Sequence, residues 1–387
     1  MPAHVIECDI AIVGGGITGS ACAYYLARGG VRVALLEQYD LNTQASGRNA
    51  GSLHGQYQLT PYRTMGREWA TQYVPAMRFL VDSITMWRNL AEELGTDLEV
   101  TGNGGLLVAD TDELAAVVEE KVRFEAAQGF TAELVTGKDL RQLAPYLAPT
   151  IVAAEYCATE GTVNPLLAAP AFARAARRHG AEVLTGTTVT AVNPASGSFS
   201  LETTGPTITC AQVVLAAGAG LADLAAPLGD ALPIVDEPVQ VQVTEPVAPT
   251  VPHLVYYAGG KLTFKQSHSG SLIIGGGWLA SVDAASGYPH VRMDSMRQNL
   301  DVAARVAPWI APLAIVRSWA GVGSVTPDLA PIIGESSTPG VFFGMFPHMG
   351  MTGGPLMGLT LAQLVRGAPT TVDITSFAPG RFTPVTT

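Results

Sequence analysis

The chain has 387 residues, a formal net charge of −11 and a sequence pI near 5.1. This acidic balance disfavours nucleic-acid binding, which needs a basic surface, and the length suits two domains better than one small core. No uninterrupted apolar stretch of about 18 residues occurs, so no membrane span is expected. Four scattered cysteines without a C-x-x-C pair, and no signal-peptide pattern, predict a cytoplasmic protein without a metal site.

The first predicted elements lie within residues 8–39. Cys8–Val13 is typical of a buried strand, and Ile17–Arg28 has the apolar spacing of a helix, which Gly29 ends. Val31–Leu36 predicts a second buried strand. Together these segments predict one βαβ unit.

The turn of this unit has glycines at G-x-G-x-x-G spacing, namely Gly14, Gly16 and Gly19. The first allows a tight turn, the second lets a pyrophosphate approach the backbone, and the third lets helix and strand pack closely. Glu37 ends the second strand, where an acid binds ribose hydroxyls and disfavours a 2′-phosphate. The unit therefore predicts a site for the ADP half of a dinucleotide, with NADP disfavoured.

Later segments predict further helices and strands. The helices are expected over about Arg67–Leu94, Asp112–Gln128, Asn164–Gly180, Ser295–Val306 and Gly353–Arg366. The strands are expected within Glu182–Val192, Ser198–Thr203, Thr207–Ala216, Val239–Thr244, Leu262–Gln266 and Leu272–Gly275.

This order of elements predicts an α/β (α+β) fold with two domains. A discontinuous, Rossmann-like nucleotide domain is expected from residues 1–75, 155–235 and 320–387. An inserted, mainly antiparallel β-sheet domain, expected to bind the substrate, takes residues 76–154 and 236–319.

Two other glycine clusters are not expected to bind a second dinucleotide. Gly275–Gly277 is followed by residues 281–290, which contain Gly287 and Pro289 and lack a helical period. The cluster that ends in Gly220 has no acid-terminated strand after it. The absence of a second unit argues against reduction by NAD(P)H.

Four separated segments resemble the D-amino-acid oxidase/sarcosine oxidase superfamily, and the resemblance covers nearly the whole chain. Besides the N-terminal unit, these are the Ser-x-His-Gly segment, the strand that leads to Ala-Gly, and a C-terminal set of motifs. In chain order the later segments are Ser52–Gly55, Val214–Gly218, Ser318–Gly321 with Thr326–Asp328 and Pro331–Gly334, and His348–Pro355.

The resemblance implies a glutathione-reductase-type FAD-binding domain and FAD as the cofactor. It also implies oxidation of a C–N bond by hydride transfer to flavin N5, with the last helix directing its N-terminus at the flavin. The expected FAD-binding residues are Gly14, Gly16, Ile17, Thr18, Gly19, Glu37, Gln38, Ser46, Arg48, Asn49, Ala50, Gly51, Leu53, His54, Val189, Ala217, Gly218, Gly334, His348, Gly350, Met351 and Thr352.

Three features of the sequence depart from the pattern of the family. Gly323 stands where many members have an arginine that holds the substrate carboxylate, and Gln58 replaces another arginine. No cysteine follows Cys210, so the FAD is expected to be non-covalent. The overall pattern is closer to the small flavin subunits of opine, hydroxyproline and sarcosine oxidoreductases, which suggests hetero-oligomerisation with other redox subunits.

The candidate catalytic residues are His54, His348 and Lys265. Either histidine can orient the substrate or favour its neutral amine, and a purely structural hydrogen bond is the alternative for each. Lys265 can hold a carboxylate or promote flavin reoxidation, with a surface lysine as the alternative. Tyr257 and Gln266 are weaker candidates for the pocket wall.

The leading hypothesis is FAD-dependent oxidation of an amino acid or secondary amine such as sarcosine, proline, an opine or a glycine-like substrate. One alternative is a 2-hydroxy acid oxidoreductase, which would require a histidine base. Another alternative is a flavin-bearing subunit that is inactive without partner chains, because the carboxylate-binding arginine is missing.

Overall fold

The computed structural model describes residues 5–382. This range contains eleven α-helices, α1 to α11, in chain order: Ile17–Arg28, Ala45–Arg48, Leu59–Thr64, Gly66–Gln72, Val74–Leu94, Asp112–Ala127, Gly137–Leu143, Pro165–Arg178, Leu221–Ala225, Met293–Val306 and Gly350–Val365. Its strands, β1 to β22, are Val5–Glu7, Ile10–Val13, Val33–Leu36, Ser52–Leu53, Gly105–Ala109, Glu133–Thr136, Ala153–Cys157, Gly161–Thr162, Glu182–Leu184, Val189–Ala195, Ser198–Thr203, Thr207–Cys210, Gln212–Leu215, Val235–Pro246, Leu254–Tyr257, Thr263–Gln266, Ser271–Gly275, Ser281–Val282, Pro289–His290, Ile315–Val325, Ile332–Glu335 and Val341–Met345.

A six-stranded sheet in the order β21-β22-β13-β2-β3-β9 forms the centre of the predicted nucleotide domain. β2 and β3 pair in parallel, with Ile10 opposite Val33, and α1 connects them. The βαβ unit is therefore confirmed, and α1 begins and ends at the expected residues. All neighbours in this sheet are parallel except β21 and β22.

The two faces of this sheet are covered differently. Alternate strand residues such as Ile12 and Leu35 pack into one core with α1, α5, α8 and α11. Their neighbours, such as Val13 and Leu36, pack against a four-stranded sheet in the order β1-β12-β11-β10. Successive side chains on a strand point to opposite faces, so these strands have to be apolar throughout, as their sequences are.

A second large sheet has eight strands, in the order β20-β14-β17-β16-β15-β5-β7-β6. Only the β15–β5 pair is parallel, so the sheet is mainly antiparallel. Its strands fall within 76–154 and 236–319, except that β7, β14 and β20 extend past the boundaries. The division into two domains at these boundaries remains a prediction.

Two helices that contain proline differ from the sequence-based expectation. The segment 67–94 is divided into α4 and α5 at Tyr73, since Pro75 has no N–H to continue the hydrogen-bond ladder. The last helix begins at Gly350, not Gly353, so Pro355 lies inside it. In the second turn this proline leaves only the Met351 carbonyl without its intrahelical donor.

Two chain segments contribute to two sheets each. The segment 207–216, expected to be one strand, is divided into β12, which joins the four-stranded sheet, and β13, which joins the six-stranded sheet. β1 and β2 are divided in the same way at the N-terminus. The amide groups of Ala211 and Gln212 both donate to the carbonyl of Asp9, which fixes the point where the two chain segments change sheets together.

The first and last helices approach closely through glycine. A Cβ atom on Gly358 would lie 2.5 Å from Ala21 Cβ and 2.6 Å from the Cys22 backbone nitrogen, and one on Gly354 would lie 2.5 Å from Ile17 Cγ2. Real side chains are not found at such distances, so only glycine permits this separation of the helices. The contact places the N-terminus of α11 beside the glycine turn that precedes α1.

Among residues 5–382, no helix is both long and apolar enough to cross a membrane. Within the same range the four cysteines are buried and unpaired, and no cluster of three or more potential metal ligands is found.

The glycine contact predicts the sign of a stability change. An exposed Gly→Ala change inside a helix stabilises it by about 1 kcal/mol, but Gly358→Ala is expected to destabilise the protein by about 1–3 kcal/mol because the helices must separate. Denaturant midpoints of the FAD-loaded protein measure the change. Gly102→Ala is the control, since a Cβ there meets no atom within 4 Å. A Gly358→Ala protein as stable as the parent would contradict the close contact.

Candidate functional site

A continuous cleft of about 920 Å³ extends from the glycine turn to the eight-stranded sheet. This volume is near the upper end of the range for small-molecule and cofactor sites, about 300–1,000 Å³. The N-terminal ends of α1 and α11 both border it, through Gly16–Thr18 and Gly350–Met351. Neither helix has a side-chain cap from its N-cap residue or an acidic residue in its first turn, so the positive end of each helix dipole borders the cleft.

The glycine turn has the geometry that its spacing predicts. Gly14 has φ 107°, and a Cβ on it would lie 2.4 Å from the Ala216 carbonyl oxygen. A Cβ on Gly19 would lie 1.9 Å from the Gly14 oxygen, so the third glycine permits the close packing of helix and strand. Glu37 accepts hydrogen bonds from the amides of Gly15 (2.8 Å) and Tyr39 (2.9 Å), which fixes its carboxylate at the edge of the cleft.

The loop after the βαβ unit is held by its own side chains. Ser46 Oγ accepts a hydrogen bond from the Ile17 amide at 3.0 Å. Arg48 Nε donates to the Thr43 carbonyl at 2.6 Å, and its guanidinium lies over the ring of Tyr288. Asn49 bonds only within the loop. These contacts make Arg48 and Asn49 organisers of the loop, and their contact with FAD remains a prediction.

Thr352, in the first turn of α11, connects three elements. Its hydroxyl donates to the Ser52 carbonyl (3.2 Å) and accepts from the His54 amide (3.0 Å). Its carbonyl accepts from Ser83 Oγ and Trp87 Nε1 of α5. Thr352 is fully buried, so it fixes the backbone at His54 without facing the cleft.

Most residues expected to bind FAD line the cleft. Those that do are Gly14, Gly16, Ile17, Thr18, Glu37, Gln38, Ser46, Arg48, Asn49, Ala50, His54, Val189, Ala217, Gly218, His348, Gly350 and Met351. Those outside the lining are Gly19, Gly51, Leu53, Gly334 and Thr352. Gly334, for example, lies within β21 against Pro379.

His54 enters the cleft next to Tyr256 of β15, whose hydroxyl lies 2.8 Å from His54 Nδ1. Burial, with smaller effects of Lys265 and His348, lowers the pKa of His54 to about 3. The imidazole is therefore neutral at physiological pH and unsuited to holding a second proton.

His348 also lines the cleft, just before α11. Its Nδ1 is 3.0 Å from Glu237 Oε2, and its backbone has φ 52°, a left-handed conformation that is costly for a residue other than glycine. Glu237 of β14 pairs in register with Gly323 of β20. The acid–histidine pair therefore lies beside Gly323, the position at which the family resemblance predicted an arginine.

Lys265 is buried, and it does not line the cleft. Its Nζ donates to Ser52 Oγ at 2.6 Å, directly behind the segment that carries His54. Burial lowers the pKa of Lys265 to about 7. The alternative of a surface lysine is therefore wrong. Gln266 also lies outside the lining, whereas Tyr257 is part of it.

A buried ionic cluster supports the loop that follows His54. Lys121 Nζ lies 2.7 Å from Glu125 Oε1 and 2.7 Å from Glu155 Oε2, and all three side chains are at most 1% exposed. Burial raises the pKa of Glu155 well above its ordinary value, so the cluster carries a proton and avoids a buried net negative charge. The Tyr57 amide donates to Glu125 Oε1, and Gln56 Oε1 accepts from Lys121, which attaches the loop to the cluster.

Sequence reasoning missed Tyr256 and this cluster. It also missed Glu160, a buried carboxylate that accepts a hydrogen bond from the Tyr256 hydroxyl. Tyr256 adjoins Tyr257, a candidate for the pocket wall, but a strand sequence does not say which of two adjacent tyrosines reaches His54. The charged residues of the cluster come from α6 and β7, far apart in sequence. A charged residue among apolar neighbours, such as Glu155 after Ala153 and Ala154, is the one signal in the sequence.

With this geometry in view, comparisons with known proteins identify the class. The family model described as FAD dependent oxidoreductase, DAO, matches residues 9–364. The chain therefore belongs to the DAO family of FAD-dependent oxidoreductases, as the C-terminal motifs predicted.

Individual relatives are similar over nearly their full length. One of the opine oxidase subunits of Rhizobium meliloti is 27% identical, covering 97% of this chain and 98% of the relative. Glycine oxidase of Geobacillus kaustophilus is 30% identical, covering 96% of each. The crystal structure of glycine oxidase from Geobacillus kaustophilus superimposes with a TM-score of 0.85 at 27% identity, covering 98% of this chain and 99% of that one.

The buried cluster predicts a large cost for removing its cation. Lys121→Met is expected to destabilise the protein by about 3–5 kcal/mol, because two buried carboxyl groups lose their partner. Arg123→Met is the matched control on the same helix, since Arg123 pairs with Glu119 at the surface, where such pairs contribute little. Denaturant unfolding measures both. Equal midpoints for the two variants would show that the cluster does not stabilise the fold.

Proposed function

We propose that this protein uses non-covalent FAD to oxidise the C–N bond of a small amino acid or secondary amine. The observation that carries the proposal is the continuous cleft, which is lined by the glycine turn with Glu37 and by the N-terminus of α11 with His54. The cleft suits a long dianionic cofactor, because a positive helix end meets each of its halves.

We expect the two halves of FAD to contact different residues of the cleft. The glycine turn has no Cβ where the pyrophosphate would approach, and the Glu37 carboxylate would accept hydrogen bonds from ribose hydroxyls. The N–H groups at Gly350 and Met351 would stabilise negative charge on the reduced isoalloxazine. When bound, FAD would supply the hydride acceptor, and the protein's share of the chemistry is to position the substrate and control its protonation.

The substrate proposed is sarcosine, proline, an opine or a glycine-like amino acid, and the similarity to an opine oxidase subunit and to a glycine oxidase supports the last two. Arg48 and Lys261 are the cations among the cleft residues of the described chain, and Arg48 is engaged within its loop. Because Gly323 provides no carboxylate anchor, a flavin-bearing subunit that requires partner chains is an alternative. The opine oxidase relative is by its name one chain of a larger enzyme.

We also propose a cytoplasmic location, which the unpaired cysteines favour.

A second candidate is a 2-hydroxy acid oxidoreductase. The position of His54 in the cleft favours it, since hydroxyl oxidation needs a proton acceptor, although the lowered pKa of His54 makes its imidazole a weak base on its own. The same imidazole could serve an amine, so the two reactions are separated by a substrate screen and by their pH dependence.

A substrate screen is expected to identify the reaction. The purified protein should be yellow, release its flavin on acid precipitation, and be bleached anaerobically by at least one of sarcosine, proline, hydroxyproline, an opine or a simple D-amino acid. Stopped-flow absorbance near the flavin maximum gives the rate. Bleaching by 2-hydroxy acids alone would overturn the proposal. Yellow protein that no compound bleaches until partner chains are added would support the subunit alternative.

His54→Gln is expected to separate amine from alcohol oxidation. With an amine, flavin reduction by the variant should be slow at pH 7 and rise about tenfold per pH unit as free amine accumulates in solution. With a 2-hydroxy acid no such recovery is expected, because the hydroxyl stays un-ionised. His268→Gln is the control, a half-exposed histidine outside the cleft. A His54→Gln enzyme with the parent's pH profile would show that His54 has no role in either reaction.

A further inference from the structure

A carboxylate, Glu160, is completely buried behind the cleft and accepts four hydrogen bonds. Its Oε1 accepts from the amides of Gly55 (2.8 Å) and Gln56 (3.3 Å) and from the hydroxyl of Tyr256 (2.9 Å). Its Oε2 accepts from Gln56 Nε2 at 2.9 Å. The side chain has no exposed surface.

Two glycines leave room for this carboxylate. A Cβ on Gly105 would lie 1.7 Å from Glu160 Oε2, and a Cβ on Gly55 would lie 3.3 Å from Glu160 Cγ. Any other residue at position 105 would displace the carboxylate. These two glycines thus leave space for the Glu160 carboxyl group in the protein interior, where a carboxylate without hydrogen bonds would be energetically costly.

The hydrogen bonds determine which nitrogen of His54 carries its proton. An ionised Glu160 only accepts, so Tyr256 must donate its single proton to it. The Tyr256 oxygen then accepts from His54 Nδ1, 2.8 Å away. His54 is therefore protonated on Nδ1, and its Nε2 is left as the acceptor.

We propose that His54, Tyr256 and Glu160 form a proton relay that draws the ammonium proton of a bound amine substrate into the protein interior. The inference rests on the proposed amine oxidation. His54 contacts the substrate, whereas Tyr256 and Glu160 act through it as positioning residues. The relay supplies the neutral amine that hydride transfer requires.

The relay moves three protons and creates no charged intermediate. The substrate ammonium gives a proton to His54 Nε2, His54 gives its Nδ1 proton to the Tyr256 oxygen, and Tyr256 gives its own hydroxyl proton to Glu160 Oε1. The products are a neutral amine, a neutral imidazole protonated on Nε2, an intact phenol and a neutral carboxylic acid. The combined charge of the substrate's amino group and Glu160 is zero before and after. After the product leaves, Glu160 returns its proton to the Tyr256 oxygen, Tyr256 gives its hydroxyl proton to His54 Nδ1, and His54 Nε2 releases one proton to water in the cleft.

Burial makes this route more favourable than simple protonation of His54. Because its pKa is lowered to about 3, the imidazole does not hold two protons near neutrality. Burial raises the pKa of Glu160 to about 7, despite its donors, so the carboxyl is poised to accept one. The other ionisable groups near the relay are Lys121, Glu155 and Cys157 around Glu160, and Lys265 and His348 around His54. None of them bonds to His54 Nδ1 or to the Tyr256 hydroxyl.

Histidine ring nitrogens report the relay without any substrate. In the FAD-loaded protein with ¹⁵N-labelled histidine, long-range ¹H–¹⁵N spectra distinguish the two neutral tautomers and the imidazolium. We expect His54 to be protonated on Nδ1 at high pH and on Nε2 at low pH, with a midpoint of about 7 and without an imidazolium. His54→Gln identifies the signal by its loss.

Two variants interrupt the relay at different atoms. Glu160→Gln keeps an oxygen for Tyr256 but accepts no proton, so His54 should stay protonated on Nδ1 at every pH. Tyr256→Phe removes the link, so the switch near pH 7 should be lost. Tyr146→Phe is the matched control, because Tyr146 makes the same 2.8 Å contact with Nδ1 of a buried histidine, His253, outside the cleft. In this control the switch of His54 should be unchanged.

Flavin reduction provides a second readout once an amine substrate is known. Glu160→Gln and Tyr256→Phe should both slow reduction near pH 7.5 by about 100-fold, with recovery at high pH, whereas Tyr146→Phe should not slow it. An imidazolium at His54, a single tautomer throughout the titration, or a Glu160→Gln protein that switches like the parent would each overturn the relay. A normal switch in a protein that no amine reduces would instead refute the proposed function.

Discussion

The packing of α1 against α11 sets the position of everything else in the cleft. The helices approach until a Cβ on Gly358 would overlap the backbone at Cys22. This brings the last helix, more than 300 residues later in the chain, beside the glycine turn. The two positive helix ends then border one cavity. With a larger residue at Gly354 or Gly358, the helices would separate, and the two halves of a dinucleotide site would no longer be aligned.

A second constraint acts through the loop between His54 and Tyr57. Its backbone N–H groups donate to two buried carboxyl groups, Glu160 and Glu125, rather than to another strand. A buried pair of charges adds little net stability, but removing only one of the two partners is costly. Their value here is geometric. Thr352 holds the backbone of His54 and Tyr256 holds its ring, so the imidazole has one orientation relative to the cleft.

Local patterns in the sequence predicted the parts of the fold that depend on nearby residues. The βαβ unit, the role of Gly19 and the position of Glu37 follow from spacing within 30 residues, because turn, helix and strand are determined by short-range sterics. Prolines limited this accuracy. The Gly-Gly-Pro pattern predicts Pro355 in the first turn, but the helix starts five residues before it, and Pro355 leaves only one carbonyl without its intrahelical donor.

Burial and pairing of charged groups needed the tertiary structure. The sequence left the exposure of Lys265 open, and the fold buries it against Ser52. Glu160 and Tyr256 lie almost 100 residues apart and share no motif. They meet each other and His54 because the fold packs β15 against the loop that carries His54 and against the connection between β7 and β8 that carries Glu160. By itself, the sequence determined the dinucleotide motif and the family, since these depend on residues at fixed local spacing. Only the tertiary structure decided which buried groups exchange hydrogen bonds behind the cleft, because those distances depend on packing between segments that are remote in the chain.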